Sequence, residues 1–222
     1  MSLPIESLKQ FPLLQVFSDE ELLQIQKVIS IINLEKDEVL FLEGDNTTAL
    51  YFVLSGWLKA EKVSREGRQQ TLRFIGPGEV VNELAVFSNE NNAVSIIAME
   101  SSRVFCIARA EVEDLLVGSS GFSRAVVKNL AQRIQHLLTH IENLSLYPVE
   151  VRLARFLIEE AEAGVIDRPP WKTQSEIANQ LGTVLDVFNR NLQKFAKQGY
   201  IEINRDQIIL LDLASLKKIA QE

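Results

Sequence analysis

The chain has 222 residues, 46% hydrophobic and 24% charged, enough for one large domain or two modest ones with a real core. Its 23 Lys+Arg stand against 30 Asp+Glu, a net of −7, which argues against non-specific attraction of the whole molecule to nucleic acid. A single cysteine excludes an internal disulfide and any cluster held by several thiolates.

No apolar run approaches the ~20 residues that span a bilayer. The start, "MSLPIESLKQF", lacks both the basic and the apolar region of a secretion signal. The expected setting is therefore the cytoplasm, with no membrane partner. Charge is uneven: residues 148–222 hold 10 Lys+Arg and 11 Asp+Glu, so most of the acidic excess lies upstream.

In chain order, "SDEELLQIQKVIS" places Ser18 three residues before Glu21, a capping box. Leu22, Ile25, Val28 and Ile29 follow at helical spacing, which predicts an amphipathic helix. From Ile31 to about Ala108 the pattern changes to short runs rich in Val, Ile and Phe, such as "ALYFVLSGWLKAEKV" and "AVSIIAMESSRVFCIA". Turns at Gly44-Asp45, Ser55-Gly56, Glu66-Gly67 and Gly76-Pro77-Gly78 punctuate them. This predicts an antiparallel β-roll or barrel.

Through "FSRAVVKNLAQRIQHLLTHIENLSLYP", Val127, Ile134 and Ile141 fall seven apart, and Leu130, Leu137 and Leu144 fall three after each. β-Branched residues at a with Leu at d favour a parallel two-stranded coiled coil, so this helix is expected to form a homodimer interface. The alternative is packing of the same stripe on its own domain. Pro148 stops the helix.

After Pro148, "VEVRLARFLIEEA" is a second amphipathic helix and "GVIDRPPW" reads as a loop. "TQSEIANQLG" opens with a capping box, Thr173 to Glu176, and turns at Gly182. "TVLDVFNRNLQKFAKQG" follows as a helix ending at Gly199. "YIEINRDQIILLD" reads as two strands around Asn204-Arg205-Asp206. Three helices and a hairpin make a winged helix-turn-helix.

On the last of those helices Phe188, Leu192 and Phe195 share an inward face, leaving Asp186, Asn189 and Arg190 outward near its start, where a recognition helix presents base-contacting groups. Arg190 suits guanine O6 and N7, worth ~1–3 kcal/mol of discrimination. Asp186 accepts from a base amino group, Asn189 pairs with adenine, and Leu185 suits a thymine methyl. Lys172, Thr173, Lys194, Lys197 and Arg205 are the candidates for phosphate contact. The competing reading of the same residues is a solvated helix face.

The order roll, long helix, winged helix resembles the CRP/FNR superfamily of bacterial transcription regulators over nearly the whole chain. The matching stretches are "SGWLKA", "GPGE", "YPVEVRLARFL" and "TQSEIANQLGTVLDVFNRNLQKFAKQGYIEI". The implied fold is α+β: a β-roll sensor domain over 1–118, a dimerisation helix over 119–147 and a winged helix-turn-helix over 148–222. The resemblance implies a near-palindromic double-stranded DNA site and RNA polymerase as partners. It also implies DNA reading by an acidic residue and an Arg four apart, here Asp186 and Arg190. A frequent extra family Arg is Leu185 here, so the site preference is expected to differ from the cyclic-AMP-receptor type.

Cyclic-nucleotide-binding relatives carry G-E-L-A after the "GPGE" turn and Arg-Ser/Thr some nine residues on. Here Glu83, Leu84 and Ala85 match, but the Gly is Asn82 and the Arg-Ser/Thr pair is Asn92-Ala93. The family's adenine-contacting Thr-Ser pair aligns with Leu137-Leu138. Without the cation, phosphate affinity should fall tens- to hundreds-fold, roughly 1.5–3 kcal/mol. Cyclic AMP is therefore not the expected effector.

The implied effector pocket comprises Glu83, Leu84, Asn92, Ala93, Leu137 and Leu138. Haem in an apolar pocket is a further option that the resemblance implies, as is a regulator controlled only by its own abundance. Cys106, in a β-type run, reads as a buried inert thiol. His136 and His140 are four apart but lack a third ligand, so no metal site is expected. The rival readings are a metal-dependent or small-molecule-binding roll, enzyme or interaction module, that does not bind DNA. Against an enzyme stand the lack of any His-x-His, Gly-x-Ser-x-Gly, P-loop or dinucleotide pattern.

Overall fold

A computed structural model describes residues 3–221. The chain forms two compact units, one from residues up to Ser64 together with Leu72–Gln135, the other from Arg65–Thr71 and His136 onward.

The first unit opens with α1 (Ile5–Lys9) and α2 (Asp19–Val28). The expected capping box is present: the Ser18 amide donates to Glu21 at 2.7 Å, and the Glu21 amide donates to the Ser18 hydroxyl at 3.3 Å. Leu22 and Ile25 are the buried members of the apolar stripe.

The roll consists of β1 (Ser30–Leu34), β2 (Val39–Phe41), β3 (Ala49–Ser55), β4 (Leu58–Val63), β5 (Gln69–Ile75), β6 (Val80–Val81), β7 (Ser95–Ala98) and β8 (Ser102–Ala108). They form two four-stranded sheets, ordered β1-β8-β3-β6 and β2-β7-β4-β5. β8 is antiparallel to both β1 and β3, and β7 to both β2 and β4.

One core fills the space between the sheets around Val53, Leu58, Ile96 and Val104. A second packs α1, α2 and the segment between them on the β1-β8-β3-β6 sheet, where three phenylalanines meet. Phe52 and Phe105 stack at 4.6 Å between centroids, and Phe11 meets each edge-on at 5.2 Å. Gly56 has φ +78°, and a Cβ there would lie 2.3 Å from the Ser102 hydroxyl, so the β3–β4 turn excludes a side chain.

A short α3 (Glu83–Ser88) follows β6, and α4 (Arg109–Gly118) follows β8. α4 occupies a stretch that the sequence pattern folded into the roll without a helix of its own. Val112 is its one buried residue, and Leu115 and Leu116, three and four positions on, pack partly buried on the same core.

The long helix α5 (Ser120–Leu146) begins in the first unit and ends in the second. The second unit continues with α6 (Val149–Glu160), β9 (Val165–Asp167), α7 (Gln174–Gln180), α8 (Leu185–Lys197), β10 (Ile201–Ile203), β11 (Gln207–Leu210) and α9 (Leu213–Ile219). Its core joins Leu153 and Leu157 of α6, Ile177 of α7 and Phe188, Leu192 and Phe195 of α8.

Two elements of the second unit differ from expectation. "GVIDRPPW" contributes strand β9, which pairs with β11 and makes the wing three-stranded. Only Ile166 of its three residues is buried, so no alternation was there to read. α9 follows the wing, capped by Asp212, whose carboxylate accepts from the Ser215 amide at 3.0 Å.

Candidate nucleic-acid interface

α7 and α8 are joined at Gly182, which has φ +62°. Thr173 caps α7 by accepting from the Glu176 amide at 3.2 Å. The Glu176 carboxylate, expected to return to the cap, accepts instead from the Thr71 hydroxyl at 3.5 Å.

The carbonyls that end α7 each receive a side-chain donor. Gln70 donates to Asn179 at 2.9 Å and to Gln180 at 3.3 Å, Arg152 donates to Leu181, and Arg68 donates to Gly182 at 3.1 Å. Capping by guanidinium groups suits the negative end of a helix. It also holds the turn that aims α8.

On α8 the inward face is as expected, with Phe188, Leu192 and Phe195 at most 1% exposed. Leu185, Asp186 and Arg190 are exposed and Asn189 is half-exposed, all within the first two turns. A cleft of about 470 Å³ opens between the start of α7, the start of α8 and the wing, with Thr173, Ser175, Leu185 and Arg205 among its walls.

Arg168 also lines that cleft and was not singled out from sequence. Its backbone amide donates to the Asp206 carbonyl at 2.8 Å and its guanidinium to the Asn204 carbonyl at 3.4 Å, stitching the wing tip to the strand-β9 loop. "DRPP" carried no signal for this beyond one basic residue in a loop.

The candidate phosphate contacts divide. Lys197 and Arg205 are exposed. Lys194 is held by the Glu150 carboxylate at 2.7 Å, and Lys172 is buried and paired with Glu160. A lysine committed to a neighbouring carboxylate offers a phosphate less than its formal charge suggests. Neither pairing is visible from local sequence.

In the first unit, Glu83 is 7% exposed at the start of α3. Arg133 of α5 reaches its carboxylate at 3.3 Å, meets Glu79 at 3.4 Å and donates to the Val80 carbonyl at 3.0 Å. Arg73 donates to the same Glu79 oxygen at 2.8 Å and to the same carbonyl at 2.9 Å. Burial pushes the Glu83 carboxyl above its usual range, opposed by the charge of Arg73. Arg133 was not among the sequence candidates.

Asn82 adopts φ +75°, which Asn tolerates better than most residues, and its amide donates to the Thr47 and Ala49 carbonyls. Asn92 is 2% exposed and its amide donates to the Thr47 hydroxyl at 2.5 Å and the Leu42 carbonyl at 3.4 Å. Ala93 is half-buried and Leu84 is exposed on α3. Leu137 and Leu138 belong to the second unit, so the six expected pocket residues are not gathered within one unit.

On α5 the heptad stripe divides as well. Val127, Ile134, Leu137 and Ile141 are 49–66% exposed, together with Leu138. Leu130 packs on the core of the first unit, and Leu144 approaches Gly182 in the second. The thiol of Cys106 is pushed up by burial. Among the described residues no three His, Cys, Asp or Glu side chains stand together as a metal site, and no helix is long and apolar enough to cross a membrane.

The sequence profile of the Cyclic nucleotide-binding domain matches residues 31–118, and that of the Crp-like helix-turn-helix domain matches residues 151–219. The chain belongs to the CRP/FNR family of transcription regulators. It is 23% identical over 203 residues to the CRP-like cAMP-activated global transcriptional regulator of Mycobacterium tuberculosis, covering 89% of this chain and 91% of that one. It is 28% identical over 176 residues to the transcriptional regulator SdrP of Thermus thermophilus, covering 77% and 83%.

Among solved structures, FixK2 from Bradyrhizobium japonicum shares the fold with a TM-score of 0.76 at 23% identity, covering 86% of this chain and 97% of that one. The β-roll, long helix and winged helix-turn-helix expected from sequence are thus the family's architecture. The chain is a DNA-binding transcription regulator of CRP/FNR type, not an enzyme.

Proposed function

We propose that this CRP/FNR protein is a cytoplasmic homodimer that reads a near-palindromic duplex and answers to a signal other than cyclic AMP. The observation that carries the dimer is the apolar stripe Val127, Ile134, Leu137 and Ile141, solvent-facing along a single chain. β-Branched residues at a and Leu at d suit a second copy of the same helix. Two recognition helices then read half-sites about one helical turn, ~34 Å, apart. Leu185, Asp186, Asn189 and Arg190 face the bases, with Thr173, Lys197 and Arg205 nearest the backbone and Lys172 and Lys194 contributing less. RNA polymerase is the partner through which such a regulator acts.

The effector reading rests on the cassette. A cyclic phosphate needs a cation where this chain has Asn92, whose amide is already committed to Leu42 and Thr47. Glu83, which matches the family's acidic position, is held by Arg133. These residues do not fit a cyclic nucleotide. The cavity beside His140 measures about 70 Å³, too small for haem, so that histidine is not proposed as its ligand.

The test is selection of duplexes from a random pool by the full chain, with sedimentation to fix its oligomeric state and calorimetry with cyclic AMP. A palindromic consensus, a dimer and no heat of binding are expected. Arg190→Ala should lose ~5- to 160-fold in affinity for the selected site, the equivalent of ~1–3 kcal/mol. A monomer with no consensus overturns the first reading, and tight cyclic AMP binding overturns the second.

A further inference from the structure

Within the second unit, the end of α5, α6 and α7 enclose a cavity of about 70 Å³ lined by His140, Leu144, Arg152, Phe156, Glu159 and Gln180. Three buried side-chain atoms at this place have no hydrogen-bond partner: Nε2 of His140, Nε of Arg152 and Oε1 of Gln180. One donor, one acceptor and one imidazole nitrogen around a space of that size suit about two water molecules. They do not suit a dry apolar void.

Arg152 faces two ways. Its Nη1 donates to the Leu181 carbonyl, immediately before Gly182 and the recognition helix, while its Nε is buried without a hydrogen-bond partner in a side chain that lines the cavity with His140. The imidazole and the guanidinium interact electrostatically.

We propose that this cavity is a hydrated, proton-responsive joint: neutral His140 leaves Arg152 on the Leu181 carbonyl, and protonated His140 repels that guanidinium and releases the turn ahead of α8. The consequence for DNA rests on the reading of α8 as the recognition helix; the joint itself does not.

The charges around His140 set the sign. From α6 come Arg152 and Glu159, and from segment 65–71 comes Arg68, whose charge bears on Arg152. Gln180 of α7 is neutral. On α5 itself Glu142 is engaged with Arg155. Burial, then Arg152, holds the His140 imidazole below its usual 6.5. Burial raises Glu159, so its carboxylate is a weaker counterweight to a new charge than a solvated one.

The closed joint therefore favours neutral His140. Its contribution is complete above pH 6.5 and is lost as the pH falls from there through the folded-state value.

The test uses the full chain without DNA. NMR titration follows the two imidazoles, His136 and His140, assigned with His136→Gln and His140→Gln. Amide exchange, corrected for its intrinsic pH dependence, follows residues 179–186. A His140 midpoint below 6.5 is expected. Protection of the turn should fall about threefold or more between about pH 7.5 and a pH about one unit below the measured His140 midpoint in the wild type, and stay level in His140→Gln.

A midpoint at or above 6.5, an unchanged wild-type turn, or the same fall in His140→Gln overturns the proposal. The wild-type titration stands even if the variant misfolds. DNA binding that stays unchanged over the same pH range, with the joint titrating as described, would instead count against the recognition-helix reading.

Discussion

Gly182→Ala isolates the demand that the fold places on the turn before α8. The residue has φ +62°, where an L-alanine costs roughly 1–2 kcal/mol. Its Cβ would also stand 2.5 Å from Leu144 Cδ2, 3.0 Å from Gln70 Oε1 and 3.3 Å from Arg152 Nη1. These are side-chain ends, so they yield, at an overpacking cost of about 1–3 kcal/mol. The sum is about 2–5 kcal/mol against a total stability on the order of 5–15 kcal/mol.

Urea unfolding followed through Trp171, in a Trp57→Phe background, measures it. Leu144→Ala removes the nearest obstacle but leaves the backbone strain. The double variant should be destabilised by less than the sum of the single ones, by about 1 kcal/mol. Additivity within about 0.5 kcal/mol, or a neutral Gly182→Ala, would refute the claim that α5 and α6 converge on this turn.

Two further outcomes follow from α5. Arg133→Ala strips Glu83 of its partner and Glu79 of one of two, and should destabilise the first unit by about 1–3 kcal/mol. The deficit should shrink as the pH falls towards 5, because the Glu83 carboxyl, already pushed up by burial, then sheds its charge. Arg133→Lys should recover only part, since one ammonium does not serve Glu79, Glu83 and the Val80 carbonyl together; thermal unfolding at the two pH values decides. Ile134→Lys should give a folded monomer, since Ile134 is 58% exposed in the single chain, and a surviving dimer in sedimentation velocity refutes the seam.

The legible parts of this molecule are those with a period. Ser18 and Glu21 announce α2, and Phe188, Leu192 and Phe195 announce which side of α8 faces inward and hence which side faces out. The three-residue strand β9 is too short to show a period, so only its pairing with β11 reveals it. Arg133 is illegible for a different reason. It meets Glu83 across 50 residues of sequence, and nothing local distinguishes it from any exposed helical arginine. Leu130 and Leu144 obey the heptad yet each has an intramolecular neighbour, because a straight helix drifts off a seven-residue repeat.

The same distinction answers how an acidic chain can be built to read an acidic polymer. Counting charges made Lys172 and Lys194 look available, but Glu160 and Glu150 take them, so the second unit offers fewer free cations than its composition suggests. What remains is Arg205 at the cleft, Lys197 at the end of α8, and Leu185, Asp186, Asn189 and Arg190 at its start, groups that in the proposed reading match base edges more than they attract phosphate. A reader of that kind gains little on random duplex and more on the right one. The neutralised lysines are therefore consistent with selectivity, in a molecule whose net charge of −7 already discourages indiscriminate binding.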